Sequence, residues 1–306
     1  MKGLKAPFHS FLIPRELRAE RLPEAFRFLN EHLPVPTSDD GLCRSPIFIL
    51  SAGWRSGSTL LQRLICSDKD VMLWGEPFGD TIPVPRLAAT VENFTLDNPY
   101  TRYAIDQFSG EFSNEWIANL NPGLEEVRRA HLAFFETLFA RPAHGRGYTR
   151  WGVKWVRLTA EHGLYLKWLY PEAKFLLLVR HPLLAYQSYR GNRWYTIRPD
   201  YPMTGIVKFL GHWCYLAASF LRLRDALDGK LIRYEDLIGE SSLVQELTAY
   251  LNIKLESKVL KRKIDARQDK KPLGWHEQFV CQILAGNICR KLGYRTSGEV
   301  LAMNNA

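Results

Sequence analysis

The sequence predicts an α/β protein: a single domain with a central parallel sheet flanked by helices, and a nucleotide-binding architecture like that of P-loop proteins. Three observations predict it. Two apolar runs, "PIFIL" (46–50) and "FLLLV" (175–179), are of strand length and lack the alternation of a half-exposed strand, as expected for strands covered on both faces. Segments with helical spacing follow each run, and such alternation implies parallel strands joined by right-handed crossovers. The first run leaves through a small-residue turn, "SAGWRSGST", which aims backbone amides together at a helix N-terminus.

Each element can be justified in order. Residues 1–45 contain Pro14, Pro23, Pro34 and Pro36, which predicts a helix over 15–32 and then an irregular lead-in to a domain spanning 46–306. "SPIFILSAG" is a buried strand, and "STLLQRLICS" a helix with Leu60, Leu61, Leu64 and Ile65 on one face. "VMLWGE" is a second short strand that runs into a proline-rich loop, and 80–120 reads as mostly irregular. "LEEVRRAHLAFFETLFARP" is an amphipathic helix with acidic residues in its first turn and Arg141 in its last. Strand "RWGVKWVRL", helix "AEHGLYLKWLYP" ended before Pro171, strand "KFLLLVRH" and helix "PLLAYQSYRG" begun by Pro182 continue the alternation. A helix over 204–226, a strand "KLIRYEDL" and C-terminal helices complete the chain, which has no internal repeat.

The 306 residues, 46% of them hydrophobic, suffice for a large core. A formal charge of +9 suits anionic partners, read either as a generally basic surface or as charge gathered in one cleft. Lys and Arg are spread along the chain without a recognisable binding module, which argues against nucleic acid. No run reaches the roughly 18 apolar residues of a membrane span. His9, Ser10 and Pro14 interrupt any signal-type apolar stretch, so a cytoplasmic location is expected. Five scattered cysteines without a C-x-x-C pair predict reduced, mostly buried thiols, and neither disulfides nor a metal site.

The turn resembles a triphosphate loop, G-x-x-x-x-G-K-[ST], with Ser58 in the lysine position and Ala52 for the first glycine. Nothing there reaches a γ-phosphate, yet Arg55 supplies a cation and Ser58 and Thr59 hydroxyl donors, which suits a 5′-phosphate or phospho-anhydride. The plainer reading is a serine-capped strand-to-helix turn. In "FLLLVRHPLLAYQSYR", Arg180 ends a buried strand, where open α/β sheets bind ligands, and Ser188 follows eight residues on. Together they can clamp a second phosphate; taken singly, each reads as a surface residue.

The pair "RSGSTLLQRL" and "VRHPLLAYQSY" resembles the 5′-phosphosulfate loop and the 3′-phosphate motif of sulfotransferases that use 3′-phosphoadenosine 5′-phosphosulfate (PAPS). "IRYEDL" and "CRKLGY" resemble further stretches of that family, so the likeness covers residues 46–294. It implies that Arg55, Ser56, Gly57, Ser58 and Thr59 hold the 5′ end of PAPS, that Arg180 and Ser188 hold its 3′-phosphate, and that no metal is needed. Sulfuryl transfer to an alcohol also requires a base for the hydroxyl proton and a cation for the leaving oxygen. In the arylsulfotransferase-like branch the base is a histidine two residues beyond a strand lysine, where this chain has Val156. The chain is similar instead to the branch of bacterial trehalose-type and tyrosylprotein sulfotransferases, whose base is a glutamate shortly after the loop helix. Glu76 in "LWGEPFGD" matches, and apolar Trp74, Pro77 and Phe78 are expected to raise its pKa. Lys154 matches the family lysine near the sulfuryl group.

Lys270, Lys271 and Trp275 read either as a cover over the nucleotide, with Lys271 its contact, or as a solvated loop. The acceptor is expected to be a carbohydrate, glycolipid or small-molecule alcohol. The connections 191–203, with Arg193 and Arg198, and 80–120 are candidates to line its site. Two other classes remain open at this point: an ATP-dependent small-molecule kinase with a degenerate loop, and a non-catalytic nucleotide-binding module.

Overall fold

Five strands pair side by side in the order β2-β3-β1-β4-β7, all parallel. They are β1 (Ile47–Ser51), β2 (Val71–Trp74), β3 (Arg150–Trp155), β4 (Lys174–Val179) and β7 (Lys230–Arg233), with β5 (Thr196–Arg198) and β6 (Tyr201–Pro202) forming a separate small hairpin. The computed structural model describes residues 18–33, 44–79, 82–92, 94, 105, 108–114, 117–190, 195–198, 201–239, 241–261 and 272–294. The helices are α1 (Leu22–His32), α2 (Ser58–Ile65), α3 (Pro83–Val91), α4 (Leu124–Phe135), α5 (Arg141–His144), α6 (Ala160–Leu169), α7 (Pro182–Tyr189), α8 (Gly205–Leu223), α9 (Tyr234–Gly239), α10 (Ser241–Leu251) and α11 (Trp275–Lys291). Among the described residues no helix is long and apolar enough to cross a membrane.

The apolar runs are explained by two cores, one on each face of the sheet. Successive residues of a strand point to opposite faces. Ile47 and Ile49 of β1 pack with Leu61, Leu64 and Ile65 of α2 and with Leu247 and Leu251 of α10. Phe48 and Leu50 join the larger cluster that holds Trp151, Trp155, Tyr165, Phe175 and Trp213. Every residue of β1 is therefore buried. Gly152 of β3 sits opposite Ile47, and a Cβ there would strike the Ile47 carbonyl and the Leu73 side chain.

Three departures from the sequence reading have local causes. Residues 80–120 were expected to be irregular, yet α3 occupies 83–91; Pro83 lies in its first turn, where an amide has no helical partner to lose. The strand expected over "KLIRYEDL" stops at Arg233 and α9 begins at Tyr234, with Glu235 and Asp236 in its first turn. The long amphipathic helix passes from α4 through a wide π-turn, Glu136–Ala140, into α5. Pro142, which has no amide to give the carbonyl one turn back, stands just beyond that turn.

Three of the buried histidines among the described residues, His162, His181 and His212, have imidazoles without a carboxylate partner. His162 shares a capping box with Thr159, His181 lies edge-on to Tyr294, and His212 sits beside Trp54. Burial depresses the imidazoles of His162 and His212 to about 3 and that of His181 to about 4, helped at His212 by Arg157 and at His181 by Arg180. An unfolded histidine takes up its proton near pH 6.5. The unfolded chain therefore binds more protons between about pH 6.5 and pH 4, so stability present above pH 6.5 is lost as pH falls. Each histidine contributes about 1.4 kcal/mol per pH unit through that window. The urea midpoint is expected to be lower at pH 5 than at pH 7 by an amount that matches this slope, and His162→Gln to remove about one proton of it. Midpoints equal at the two pH values would refute the assignment.

Candidate active site

The carboxyl ends of the strands bring the predicted site together, because β1 lies between β3 and β4 and the loops after all three open on one edge. The phosphate-type loop leaves β1 at Ser51. Ser56 is fully buried, and its hydroxyl bonds Ser51 Oγ and donates to the Gly53 carbonyl (3.0 Å). The Ser56 side chain therefore braces the loop from inside, and only its backbone is left to meet a ligand. Arg55 and Gly57 are both left-handed, at φ 63° and 89°. Gly57 precedes α2, and a Cβ on it would collide with the Tyr234 ring. Ser58 is buried and Thr59 exposed at the head of α2, where the first amides have no helical acceptor.

Arg55 and Ser188 meet directly: Arg55 Nε donates to Ser188 Oγ at 3.0 Å. Arg180 donates to the Arg55 carbonyl at 2.8 Å, and its guanidinium carbon lies 4.6 Å from the centre of the Tyr234 ring. Its Nε is buried with no partner among the described residues, a donor that a phosphate oxygen would satisfy. Glu235 fixes the far side, accepting from the His181 amide (3.0 Å) and the Tyr294 hydroxyl (3.0 Å). The turn with its free amides and the guanidinium with one buried donor to spare lie on one edge of the sheet.

Glu76 stands two residues past β2, and Lys154 lies in β3. Lys154 Nζ donates to Glu76 Oε1 at 2.7 Å. Strand β3 is interior, between β2 and β1, so Lys154 does not guard a sheet edge. It is 5% exposed. The apolar setting expected for Glu76 is not its closest one: Trp74 turns to donate to the Phe139 carbonyl (3.2 Å), Phe78 is exposed, and the nearest partner is the Lys154 ammonium.

Three residues that the motifs did not single out complete the edge. Arg157, just beyond β3, donates to the Gly79 carbonyl in the Glu76 turn and to the Thr196 carbonyl of β5 (3.1 Å), and lies 5.8 Å from the centre of the Trp54 ring. Trp54 stacks on Tyr195 with centroids 5.5 Å apart and planes 8° off parallel. The Arg55 guanidinium donates to the Tyr195 phenol; burial pushes that phenol up, Arg55 pulls it down and Glu76 adds an upward push. Trp54 lies inside the loop motif and Tyr234 inside "IRYEDL", so both had a sequence signal, whereas Arg157 and Tyr195 had only their place beside the motifs. Lys270, Lys271 and Arg193 fall outside the described residues. Trp275 is exposed, and His276 is its ring neighbour. His162 and His181 are buried away from solvent. Among the described residues no group of three or more His, Cys, Asp or Glu side chains could hold a metal ion.

A sulfotransferase family model matches residues 46–257, the greater part of the chain. The chain belongs to the sulfotransferase family. Family membership makes it an enzyme of sulfuryl transfer with a co-substrate of the PAPS type. No curated protein sequence matches this sulfotransferase. Among solved structures it is similar to the sulfotransferase domain of the Synechococcus PCC 7002 olefin synthase, at 15% identity over 87% of this chain and 100% of that one, with a TM-score of 0.48. It is also similar to sulfotransferase STF9 from Mycobacterium avium (13% identity, 91% of this chain and 84% of that one, TM-score 0.41). Mouse sulfotransferase SULT7A1 complexed with PAP is a further neighbour (15%, 81% and 69%, TM-score 0.38).

The left-handed Gly57 gives a direct test. Gly57→Ala adds a strained φ and a clash with Tyr234, and is expected to weaken binding of 3′,5′-adenosine bisphosphate by roughly tenfold or more in calorimetry. Gly75→Ala, where a Cβ meets nothing within 4 Å, serves as the control. Equal affinity of the two variants would show that the loop geometry does not govern binding.

Proposed function

We propose that this sulfotransferase moves the sulfuryl group of PAPS to an acceptor hydroxyl with Glu76 as general base. Glu76 takes the hydroxyl proton as the acceptor oxygen bonds to sulfur. The bridging oxygen departs with its electron pair on 3′,5′-adenosine bisphosphate, and the Lys154 ammonium neutralises the charge that develops there. Arg55, Ser58, Thr59 and the amides from Ser56 to Thr59 would hold the 5′ end; Arg180 and Ser188 would hold the 3′-phosphate. The observation that carries this reading is the 2.7 Å contact of Lys154 with Glu76 beside the phosphate-type loop. One cation on an interior strand and one carboxylate in the turn beside it are the acid and base pair the reaction needs. The reading invokes no metal. The acceptor is a carbohydrate, glycolipid or small-molecule alcohol, for which the exposed Phe78, two residues from Glu76, offers an apolar face.

A transfer assay with radiolabelled PAPS over sugars, glycolipids, phenols and peptides tests the reaction and its acceptor. Glu76→Gln is expected to lower turnover by about 10²- to 10⁴-fold with bisphosphate affinity nearly unchanged, the signature of a lost base. Lys154→Ala is expected to lower kcat more than it raises KM for PAPS. Retention of more than about half the activity in Glu76→Gln would place the base elsewhere.

The phosphate assignment predicts selectivity. Wild type is expected to bind 3′,5′-adenosine bisphosphate tens- to about a thousandfold more tightly than 5′-AMP, from one charge-assisted and one neutral hydrogen bond. Arg180→Ala is expected to remove most of that preference and Ser188→Ala a smaller part, with calorimetry as the readout. A preference that survives Arg180→Ala would refute the clamp. Equal binding of ATP would favour the kinase reading.

A further inference from the structure

Helix α11 carries an apolar stripe that is exposed among the described residues. Trp275, Phe279 and Ile283 recur every four residues, so they lie on one face, and they are 80%, 60% and 64% exposed. The opposite face is spent on the core: Cys281, Ala285, Ile288 and Cys289 are buried, and Cys214 of α8 donates to the Leu284 carbonyl. The exposed residues around the stripe are His276, Gln282, Asn287, Arg290 and Lys291. The single acid of the helix, Glu277, is buried and paired with Arg190. The outward face of α11 thus combines a tryptophan, two further large apolar side chains, two amides and two fixed cations, with no exposed carboxylate.

That chemistry matches helices that lie in the plane of a bilayer, with aromatic and aliphatic side chains in the headgroup boundary and Lys or Arg beside anionic lipid. It does not match a stable contact between two copies. Three side chains, of about 150–250 Å² each for the aromatics, do not by themselves reach the roughly 800 Å² per partner of a specific interface. Two copies would also bring like charges together, each chain carrying +9. We propose that the exposed face of α11 is a docking surface for an anionic membrane, on which the enzyme lies as a peripheral protein. On its buried side the start of α11 is tied to the end of the helix that carries Ser188, because Arg190 bonds the Pro272 carbonyl (3.1 Å) and Glu277.

Cosedimentation of the full chain with vesicles tests this without any use of catalysis. Vesicles of phosphatidylcholine with about one third phosphatidylserine are expected to pellet the protein at low salt, and pure phosphatidylcholine vesicles to leave it in solution. Trp275→Ser with Phe279→Ser is expected to cut partitioning by at least about tenfold. Arg290→Gln with Lys291→Gln is expected to cut it by roughly five- to thirtyfold. All four positions are exposed, and circular dichroism and PAP affinity would verify that the variants stay folded. Three outcomes would overturn the proposal: no pelleting with either vesicle, equal pelleting with both, or pelleting unchanged by the Trp275 and Phe279 substitutions. A dimer by light scattering that dissolves in the same variant, without vesicle binding, would reassign the stripe to contact between copies.

Discussion

Strand β1 is bonded on both sides, to β3 in one register and to β4 in the other, and both its faces are buried. A strand so held cannot shift or tilt without breaking two ladders and two cores, which fixes the position and direction of the loop that leaves it. Its neighbours are fixed by the same ladders. Lys154 is aligned with Ile49, and Arg180 follows the last residue of β4, so two cations from different strands stand on either side of that loop. The site is built from backbone register first and from side chains second.

This origin explains a feature that a stability argument alone would disfavour. An ammonium buried in an interior strand costs desolvation free energy, and a single ion pair seldom recovers it fully. Lys154 nevertheless occupies the face of β3 that turns to α2 and the phosphate-type loop, since Trp151, Val153 and Trp155 take the other face. A hydrophobic residue there would pack well. Charged groups retained at such a position are characteristic of reaction centres, where local rules are broken for chemistry. The partnerless buried Arg180 Nε belongs to the same pattern: it is costly alone and useful toward an anion.

The central strands and the loop were legible in the sequence because burial on both faces leaves uninterrupted apolar runs, and because Gly57 and its hydroxyl neighbours mark a turn of specific geometry. Helix α3 was hidden by its own prolines, which read as loop signals but sit where a helix start tolerates them. The end of β7 was hidden because "IRYED" suits a strand and a helix start equally. Of the residues that the motifs single out, Arg55, Arg180 and Ser188 come together, and so do Glu76 and Lys154. The partners of those residues were not found. Tyr195 reaches Arg55 from a hairpin some 140 positions away in sequence, and no spacing rule connects residues whose proximity is created by the sheet order.

Arg157 adds the Glu76 turn to a loop and a hairpin that already meet through Trp54 and Tyr195. One planar guanidinium donates to the turn that carries Glu76 and to the hairpin that carries Tyr195, and it lies over the indole of the phosphate-type loop. A guanidinium donates in a fixed fork, so its partners cannot be displaced singly without loss of geometry at the others. Whatever stiffens the phosphate-type loop therefore also stiffens the hairpin and the Glu76 turn, and linkage makes the influence mutual. In such an arrangement the two halves of a bimolecular reaction would not fill independently: occupancy of either would be felt by the other through a side chain shared by loop, turn and hairpin.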